Sequence, residues 1–347
     1  MKLSESNSKF NTDNLLKELT AIDGISSDEK NIADKLKPYL DSICDTVDKD
    51  AHGNLIGYIN CKNDKAKTII FEAHMDRIGL MVTKICADGR LKFTNIGGVD
   101  ERILALSEVT VLGNKHINGI IVPEDSNDTS NNFKMESLKI ETGLTEEEVK
   151  KYVKVGDFIL INSEYTKLCN NIVSGGGFDN RAGVVSILKA VNQIDRNNLK
   201  YNIIILFSVQ EELGLYGAYL AGKKIDADAA IVVDVTHGET NDTKGNTGVF
   251  PLGSGAVICR GPNLHYTYTK QLIDASEKNN IPYRIEVASG SSGTNAWALQ
   301  TSSDGIPSML ISIPIRYMHT NVETLKIDDI NAIADLLTVA AEGGVDI

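Results

Sequence analysis

The sequence lacks the features that mark several broad classes of protein. It carries 35 lysine and arginine residues against 47 aspartate and glutamate residues, which gives a formal net charge of −12. An acidic protein is poorly suited to bind nucleic acid or anionic membrane surfaces. No segment approaches the run of roughly 18 apolar residues that a membrane-spanning helix needs. The opening stretch MKLSESNSKFNTDNLL has no apolar core of a secretory signal, so we expect a cytoplasmic protein.

Thiol and phosphate-binding motifs are also scarce. The five cysteines lie far apart and form no C-x-x-C pair. An odd number at wide spacing argues against a disulfide framework and against a zinc site built from thiolates, and it fits a reducing compartment. The glycine-rich stretch SGGG is not followed by the G-K-[ST] of a P-loop, so we do not expect it to bind a phosphate.

The pattern that is present belongs to a large α/β protein. The chain has 347 residues, of which 42% are hydrophobic, enough for a sizeable core and about two domains. Continuous apolar runs such as YNIIILFSV and AAIVVDV alternate with helical segments. This alternation predicts an α/β sheet that is covered by helices on both faces.

A different pattern interrupts the alternation. Between about residues 84 and 168, short segments such as RLKFTNIGG and DFILINSEY are separated by turn residues, as in small all-β modules. We therefore predict one α/β domain formed by residues 1–83 and 169–347, with a β-rich module inserted at 84–168. Within the module, the polar stretch SNDTSNNF at 126–133 is predicted to be a mobile loop.

Side chains that bind metals follow four predicted strands and open one helix. These residues are His74 and Asp76, Asp179, Glu211 and Glu212, Asp234, and His319. Because ligands of open α/β sheets bind outside the carboxyl ends of the strands, we expect these side chains to converge. Two histidines and several carboxylates without a thiolate suit Zn²⁺, Co²⁺ or Mn²⁺. His237, three residues after Asp234, is a less favoured alternative ligand.

The spacing of these residues suggests distinct roles. Asp76 lies two residues after His74 and points the same way on an extended strand, so it could accept the second ring N–H of that histidine. Adjacent residues point in different directions, so one member of the Glu211–Glu212 pair can bind a metal. The other can then act as a general base on a water molecule. Two ions about 3.5–4 Å apart and bridged by one carboxylate would suit this arrangement.

The order of these motifs resembles that of the M42 family of metallo-aminopeptidases. The chain reads H-x-D, D-N-R-x-G, E-E-x-G-x-x-G-A, V-D-V-T-H and R-Y-x-H in succession, and the match runs nearly end to end. Other co-catalytic zinc peptidases, M20 and M28, share the H-x-D, E-E and D motifs. VDVTH, RYMHT and the β insertion are what indicate M42, which includes glutamyl and tetrahedral aminopeptidases and proteins labelled cellulase M.

The resemblance implies a fold, an activity and an assembly. The fold would be a mixed-sheet α/β zinc-peptidase domain, phosphorylase/hydrolase-like, with an inserted PDZ-like β-barrel that serves in oligomerisation. The activity would be removal of N-terminal residues from peptides, with two divalent ions per subunit, zinc or cobalt. The assembly would be a homo-oligomer such as a hollow dodecamer that admits only peptides. Acidic, basic and apolar preferences for the N-terminal residue all occur in the family.

The resemblance also implies a role for each residue. Asp179 would bridge the two ions. One ion would also be bound by His74 and Asp234, and the other by Glu212 and His319. Glu211 would be the general base, and Asp76 would support His74. The family's usual aspartate and arginine are replaced here by Asn295 and Tyr216. Neither position is a metal ligand, but Asn295 removes a charge either near the substrate's α-amine or behind the ligands.

Three other functions stay open at this level. The same metal scaffold could serve a carboxypeptidase or a deacylase. A metal-binding assembly protein without activity is a second alternative, motivated by Asn295 and Tyr216. A cellulase is the third, but glycosidases work with two carboxylates and need no set of histidines, so the residue types argue against it.

Overall fold

The computed structural model describes residues 10–125 and 133–347. Apart from Phe133, the predicted loop at 126–133 lies outside the described residues. The helices are α1 Thr12–Thr20, α2 Lys30–Asp41, α3 Glu146–Tyr152, α4 Phe178–Gln193, α5 Tyr216–Gly222, α6 Tyr266–Lys278, α7 Asn295–Gln300 and α8 Ile327–Val339. The strands are β1 Thr46–Lys49, β2 Leu55–Ile59, β3 Thr68–His74, β4 Gly79–Ile85, β5 Leu91–Ile96, β6 Glu108–Leu112, β7 His116–Pro123, β8 Leu138–Glu141, β9 Phe158–Ile161, β10 Thr166–Lys167, β11 Ile172–Gly175, β12 Asn202–Ser208, β13 Ala229–His237, β14 Ala256–Arg260, β15 Tyr283–Val287, β16 Ser308–Ile315 and β17 Glu323–Lys326.

The main sheet has eight strands in the order β1-β2-β12-β3-β13-β16-β14-β15. The four central strands β12, β3, β13 and β16 are parallel, whereas β2 and β14 flank them in antiparallel pairing. Their side chains alternate between two apolar cores: Ile69 and Phe71 of β3 face the core that contains α1, α2, α4, α6 and α8, and Ile70 faces α5 and α7. The predicted α/β sheet with two covered faces is confirmed.

The inserted segment folds as a small barrel with its own core. Strands β4-β5-β8-β7-β6-β9 close into a barrel whose interior is filled by residues such as Leu80, Val109 and Ile159. The predicted all-β character of this segment is thus confirmed. The barrel strands run from Gly79 to Ile161, while the domain boundaries at 84 and 168 stay a prediction. In the described part of the chain, no helix has both the length and the apolar character to cross a membrane.

Candidate metal centre

The parallel strands bring the predicted metal ligands to one edge of the sheet. His74 is the last residue of β3 and pairs with Ser208, the last residue of β12. Val232 of β13 pairs with Glu72, which places Asp234 level with His74. Asp234 lies within β13, which continues to His237, and not at the end of that strand as predicted.

The remaining predicted residues reach the same edge from loops. Glu211 and Glu212 lie in a turn beyond β12, and His319 lies in a loop beyond β16 with a φ of 62°. Asp179 opens α4, as predicted, but its backbone is not yet helical. The helix is capped by Asn180, whose Oδ1 accepts the N–H of Gly183 at 3.1 Å.

The seven predicted side chains converge, and six of them form two adjoining groups. His74, Glu211 and Asp234 form the first group, and Asp179, Glu212 and His319 form the second, each with ligand atoms within 4.8 Å of one another. The Nε2 atom of His74 lies 3.2 Å from Asp179 Oδ1, 3.7 Å from Asp234 Oδ1 and 3.9 Å from Glu211 Oε2. The Nε2 atom of His319 lies 3.4 Å from Asp179 Oδ2 and 3.4 Å from Glu212 Oε2.

These distances fit divalent metal ions. Tetrahedral nitrogen and oxygen ligands at their usual bond lengths lie roughly 3.3–3.6 Å from one another. The two oxygens of Asp179 face different imidazoles, so this carboxylate contacts a histidine of each group. Glu212 Oε1 is buried and has no hydrogen-bond partner among the described residues, as expected for an oxygen that binds a cation.

The electrostatics of the centre also favour a cation. Burial raises the pKa of Glu211 and of Glu212 well above the ordinary value, and neighbouring carboxylates add to the effect. Burial opposes ionisation of Asp179, but hydrogen bonds from His319 and His74 outweigh it and lower the pKa of Asp179. Burial lowers the pKa of His74, but the surrounding carboxylates raise it well above its usual value. Such a concentration of negative charge is stable when a divalent ion neutralises it.

Asp76 supports the centre through four contacts. Its Oδ1 lies 3.3 Å from His74 Nδ1, although the ring is not aligned for a hydrogen bond, so this contact is electrostatic. The same carboxylate accepts the backbone N–H groups of Glu211 at 3.0 Å and Glu212 at 3.2 Å, and the hydroxyl of Ser26. Asp76 therefore holds the turn that carries both glutamates, a contact that the spacing H-x-D does not reveal.

The inserted barrel contributes directly to the site. The Nδ1–H of His319 donates to the carbonyl oxygen of Gly98 at 2.8 Å, which leaves Nε2 free to bind a metal. The N–H of Asp100 donates to the His319 carbonyl at 3.3 Å. A Cβ on Gly98 would lie 2.9 Å from His319 Nδ1, so the close approach requires glycine.

Glu323 is a supporting residue that the sequence did not indicate. Its Oε1 accepts the N–H of His319 at 3.1 Å, and its Oε2 accepts the N–H groups of Phe178 at 2.7 Å and Asp179 at 3.3 Å. Gly175 at the end of β11 pairs with Glu323 in register, which explains why the SGGG segment approaches it. Burial raises the pKa of Glu323 to about 8, against the hydrogen bonds that it accepts.

Asn295 is buried behind the predicted ligands and does not line the cavity above them. Its side chain is 1% exposed, and its Nδ2 donates to Glu72 Oε1 at 2.7 Å and to Ser208 Oγ at 2.9 Å. Glu72 interrupts the apolar run IIFEA. An ionisable residue in the middle of a buried strand was the sequence signal that could have revealed the hydrogen bonds among Glu72, Ser208 and Asn295. Tyr216 is 52% exposed at the start of α5, outside both metal-binding groups.

An open cavity of about 600 Å³ lies above the centre. Its lining includes Glu211, Asp179 and His319 from the centre, together with Glu286 and the 291–294 loop. His237 also lines the cavity but belongs to neither metal-binding group of the described residues. The carboxylates of both groups are therefore reached from solvent through this cavity.

Comparisons with known proteins agree with this geometry. The sequence profile of the family described as M42 glutamyl aminopeptidase matches residues 53–336. A putative aminopeptidase from Acetivibrio thermocellus is 33% identical over 94% of this chain and 97% of its own length. An aminopeptidase from the archaeon Desulfurococcus kamchatkensis superposes with a TM-score of 0.91 at 30% identity, over 96% of this chain and 95% of that one.

A further solved structure shares the fold and has been described as an assembly. It is the TET1 peptidase of Pyrococcus horikoshii, which can form a tetrahedron or a large octahedral shell, and it superposes with a TM-score of 0.83 at 30% identity. The superposition covers 95% of this chain and 99% of the other. With the family profile spanning most of the sequence, the chain belongs to the M42 glutamyl aminopeptidase family and is a metal-dependent aminopeptidase.

Proposed function

We propose that the centre binds two divalent cations and that Asp179 is shared between them. His74 and Asp234 would hold one ion, and Glu212 and His319 the other. The observation that supports this assignment is the position of Asp179, whose two oxygens lie 3.2 Å and 3.4 Å from different imidazoles. Two imidazoles with carboxylates and no thiolate favour zinc or cobalt.

In the proposed reaction, Glu211 moves the protons that peptide hydrolysis requires. Ions bound at this centre would act as Lewis acids toward the scissile carbonyl and the attacking water. Glu211 accepts a proton from that water and returns it to the leaving amine. Its position supports this role, because it lines the cavity while its backbone N–H is held by Asp76. Asp76 is thus a positioning residue for both His74 and Glu211.

The Glu211→Gln variant tests the role of the base. It keeps the size of the side chain but cannot accept a proton, so we expect turnover of aminoacyl-p-nitroanilides to fall by about 10²–10⁴-fold. Metal content, measured by atomic emission after reconstitution with zinc or cobalt, should stay unchanged. Glu147→Gln, an exposed glutamate on α3, is the matched control. Substantial activity in Glu211→Gln would eliminate this assignment.

A second assay separates the aminopeptidase from a carboxypeptidase or deacylase on the same scaffold. Peptides with a free N-terminus should be cleaved, and the same peptides with an acetylated N-terminus should not. Release of the C-terminal residue from the blocked peptides would instead indicate a carboxypeptidase. Mass spectrometry of the products identifies the bond that is broken.

We also propose that residues 84–168 form an oligomerisation module and that the chain assembles with itself. The closed barrel and the assemblies formed by the Pyrococcus horikoshii peptidase support this proposal. A dodecamer would contain twelve subunits of 37.7 kDa, and analytical ultracentrifugation would distinguish it from smaller species. Peptides remain the proposed partners of the cavity.

A further inference from the structure

One carboxylate in the cavity has no part in the proposed metal centre. Glu286 lies on β15 at the far side of the sheet from β3, and its side chain is half-buried. Its Oε1 accepts the hydroxyl of Thr236 at 2.8 Å, whereas Oε2 receives no hydrogen bond from a described residue. No lysine or arginine of the described chain lies within ion-pair distance of it. A half-buried carboxylate that lines a cavity without a cationic partner can bind a cation from outside.

Thr236 fixes the distance between this carboxylate and the metal centre. It lies on β13 two residues after Asp234, so the two side chains share a face and are separated by roughly 7 Å along the strand. That separation is comparable to the length of an extended lysine side chain. The α-amine of a substrate is attached next to the scissile carbonyl and must therefore stay beside the centre. Glu286 is placed to meet the end of the first side chain, not the α-amine.

The wall between the two positions is apolar. Cys259 and Leu310, which are 1% and 2% exposed, line the cavity together with Ala288. Cys259 pairs in register with Glu286, which sets the apolar surface directly beside the carboxylate. Lysine and arginine bury methylene stems along such surfaces while their charged ends bind elsewhere.

The charges of the cavity oppose an acidic first residue. Its lining contains no lysine or arginine among the described residues. The basic groups there are imidazoles, of which His74 and His319 belong to the metal centre and His237 lies beside Glu286. Burial raises the pKa of Glu286, and Thr236 and His237 counteract this rise. A cationic side chain beside Glu286 would likewise stabilise its ionised form against burial.

We propose that Glu286, held by Thr236, makes this aminopeptidase selective for peptides whose first residue is lysine or arginine. The inference rests on the proposed function, because it takes the scissile bond to lie at the metal centre. It assigns Glu286 a role in substrate specificity only, and Glu211 keeps its proposed role in proton transfer.

Kinetics with a matched pair of substrates test the proposal. Lysine and norleucine p-nitroanilides have similar stems, but only lysine carries the ammonium group. With the metal-reconstituted enzyme, we expect kcat/KM for lysine to exceed that for norleucine by about 10-fold or more. In Glu286→Gln, kcat/KM for the lysine and arginine substrates should fall about 10–100-fold, while the norleucine value changes little. Thr236→Val should lower the lysine value alone, and Glu147→Gln should change neither.

Binding of the products gives a readout that needs no turnover. By calorimetry, free L-lysine should bind about 10-fold more tightly than L-norleucine, and Glu286→Gln should remove this difference. Equal binding of the two amino acids to the wild type would overturn the proposal. So would an equal loss for both in Glu286→Gln, since that pattern indicates an α-amine or structural role. If no p-nitroanilide is cleaved, the catalytic assignment fails, but amino-acid binding still decides the role of Glu286.

Discussion

At the scale of single residues, Glu323 connects the segments that carry His319 and Asp179, the aspartate that we propose is shared by two ions. One oxygen holds the backbone of His319, and the other holds the N–H groups of Phe178 and Asp179. The side chain is buried to 1% exposure, so no water replaces these bonds when they are lost. Glu323 therefore fixes ligand positions without binding a metal itself.

We predict that Glu323→Gln weakens metal binding and destabilises the fold. A glutamine amide has one oxygen, so its NH₂ group must face a backbone N–H whichever way it turns. We expect a loss of about 1–3 kcal/mol in the free energy of unfolding, because a buried donor is left without an acceptor. Metal affinity should fall about 10–100-fold, as for other residues that orient ligands.

Calorimetric titration of the apoprotein with zinc measures the affinity, and urea denaturation measures the stability. Glu147→Gln carries the same chemical change on the exposed surface of α3 and should leave both quantities unchanged. Unaltered zinc affinity in Glu323→Gln would show that the loops hold their positions without this carboxylate.

At the scale of elements, the last two glycines of the SGGG segment, Gly176 and Gly177, form a close-packed turn between β11 and α4. A Cβ on Gly176 would lie 2.7 Å from Arg77 Nη2, and one on Gly177 would lie 3.0 Å from Arg77 Cζ. Gly177 also has a φ of +75°, in the left-handed region that glycine favours. The turn therefore lets the Arg77 guanidinium pass beneath the segment that leads to Asp179.

We predict that Gly177→Ala lowers activity as well as stability. The alanine would cost about 1–2 kcal/mol for its left-handed backbone, and its Cβ would also press against buried Arg77. Displacement of the segment should move Asp179, so kcat should fall together with zinc affinity.

The matched control for this variant is Gly156→Ala. Gly156 has a φ of +95° but nothing within 4 Å of the position that a Cβ would take. Its substitution reports the backbone cost alone, and we expect it to reduce the free energy of unfolding without reducing kcat. Equal effects of the two substitutions on kcat would show that the contact with Arg77 has no influence on the centre.

A second element-scale contact joins α8 to the start of β14. Asp329 accepts the N–H groups of Gly253 and Gly255, each at 2.7 Å. Burial raises the pKa of Asp329 to about 6, and the two hydrogen bonds oppose this rise. Between the unfolded pKa near 3.9 and the folded pKa of about 6, Asp329 is therefore protonated in the folded protein but ionised in the unfolded chain.

This shift predicts a pH-dependent difference between the wild type and Asp329→Asn. Where the folded pKa is raised, stability is fully present below the unfolded pKa and is lost as the pH rises through the folded value. The free energy of unfolding of the wild type relative to the variant should therefore decrease from pH 4 to pH 7.5. Neither of these two pH values coincides with the pI of about 5.0. Urea denaturation of both proteins at each pH measures it, and a difference that grows with pH would contradict the assigned shift.

At the scale of the whole molecule, local pattern predicts elements better than contacts. The apolar runs predict β3, β12, β13 and β16 because these strands are buried on both faces. The edge strand β15 was not predicted, since its burial alternates weakly and a helix-forming segment precedes it. The convergence of the proposed metal ligands could be predicted because strand ends meet at one edge of a parallel sheet. The roles of Gly98 and Glu323 could not be predicted, because each acts through a long-range backbone contact that leaves no local pattern in the sequence.

The same convergence leads to a prediction for the stability of the whole chain. Asp179, Glu211, Glu212 and Asp234 place four carboxylates within two adjoining groups, and such a cluster is stabilised by cations that bind only the folded state. At metal concentrations about 100 times the dissociation constant, one site contributes about 2.7 kcal/mol. For a chain of this size, removal of the metal from one or two such sites should lower the thermal midpoint by roughly 4–7 °C.

Dialysis against a chelator followed by circular dichroism measures the shift, and zinc or cobalt should restore the original midpoint. Asp179→Asn, which weakens the carboxylate that we propose is shared by the two ions, should show a smaller shift between the chelated and the reconstituted protein. Because hydrogen bonds from His319 and His74 lower the pKa of Asp179, the ionised carboxylate stabilises the metal-free protein, and the metal-free variant should unfold at or below the temperature of the metal-free wild type. A midpoint that the chelator leaves unchanged in the wild type would mean that the cluster is stabilised by its protons and histidines alone.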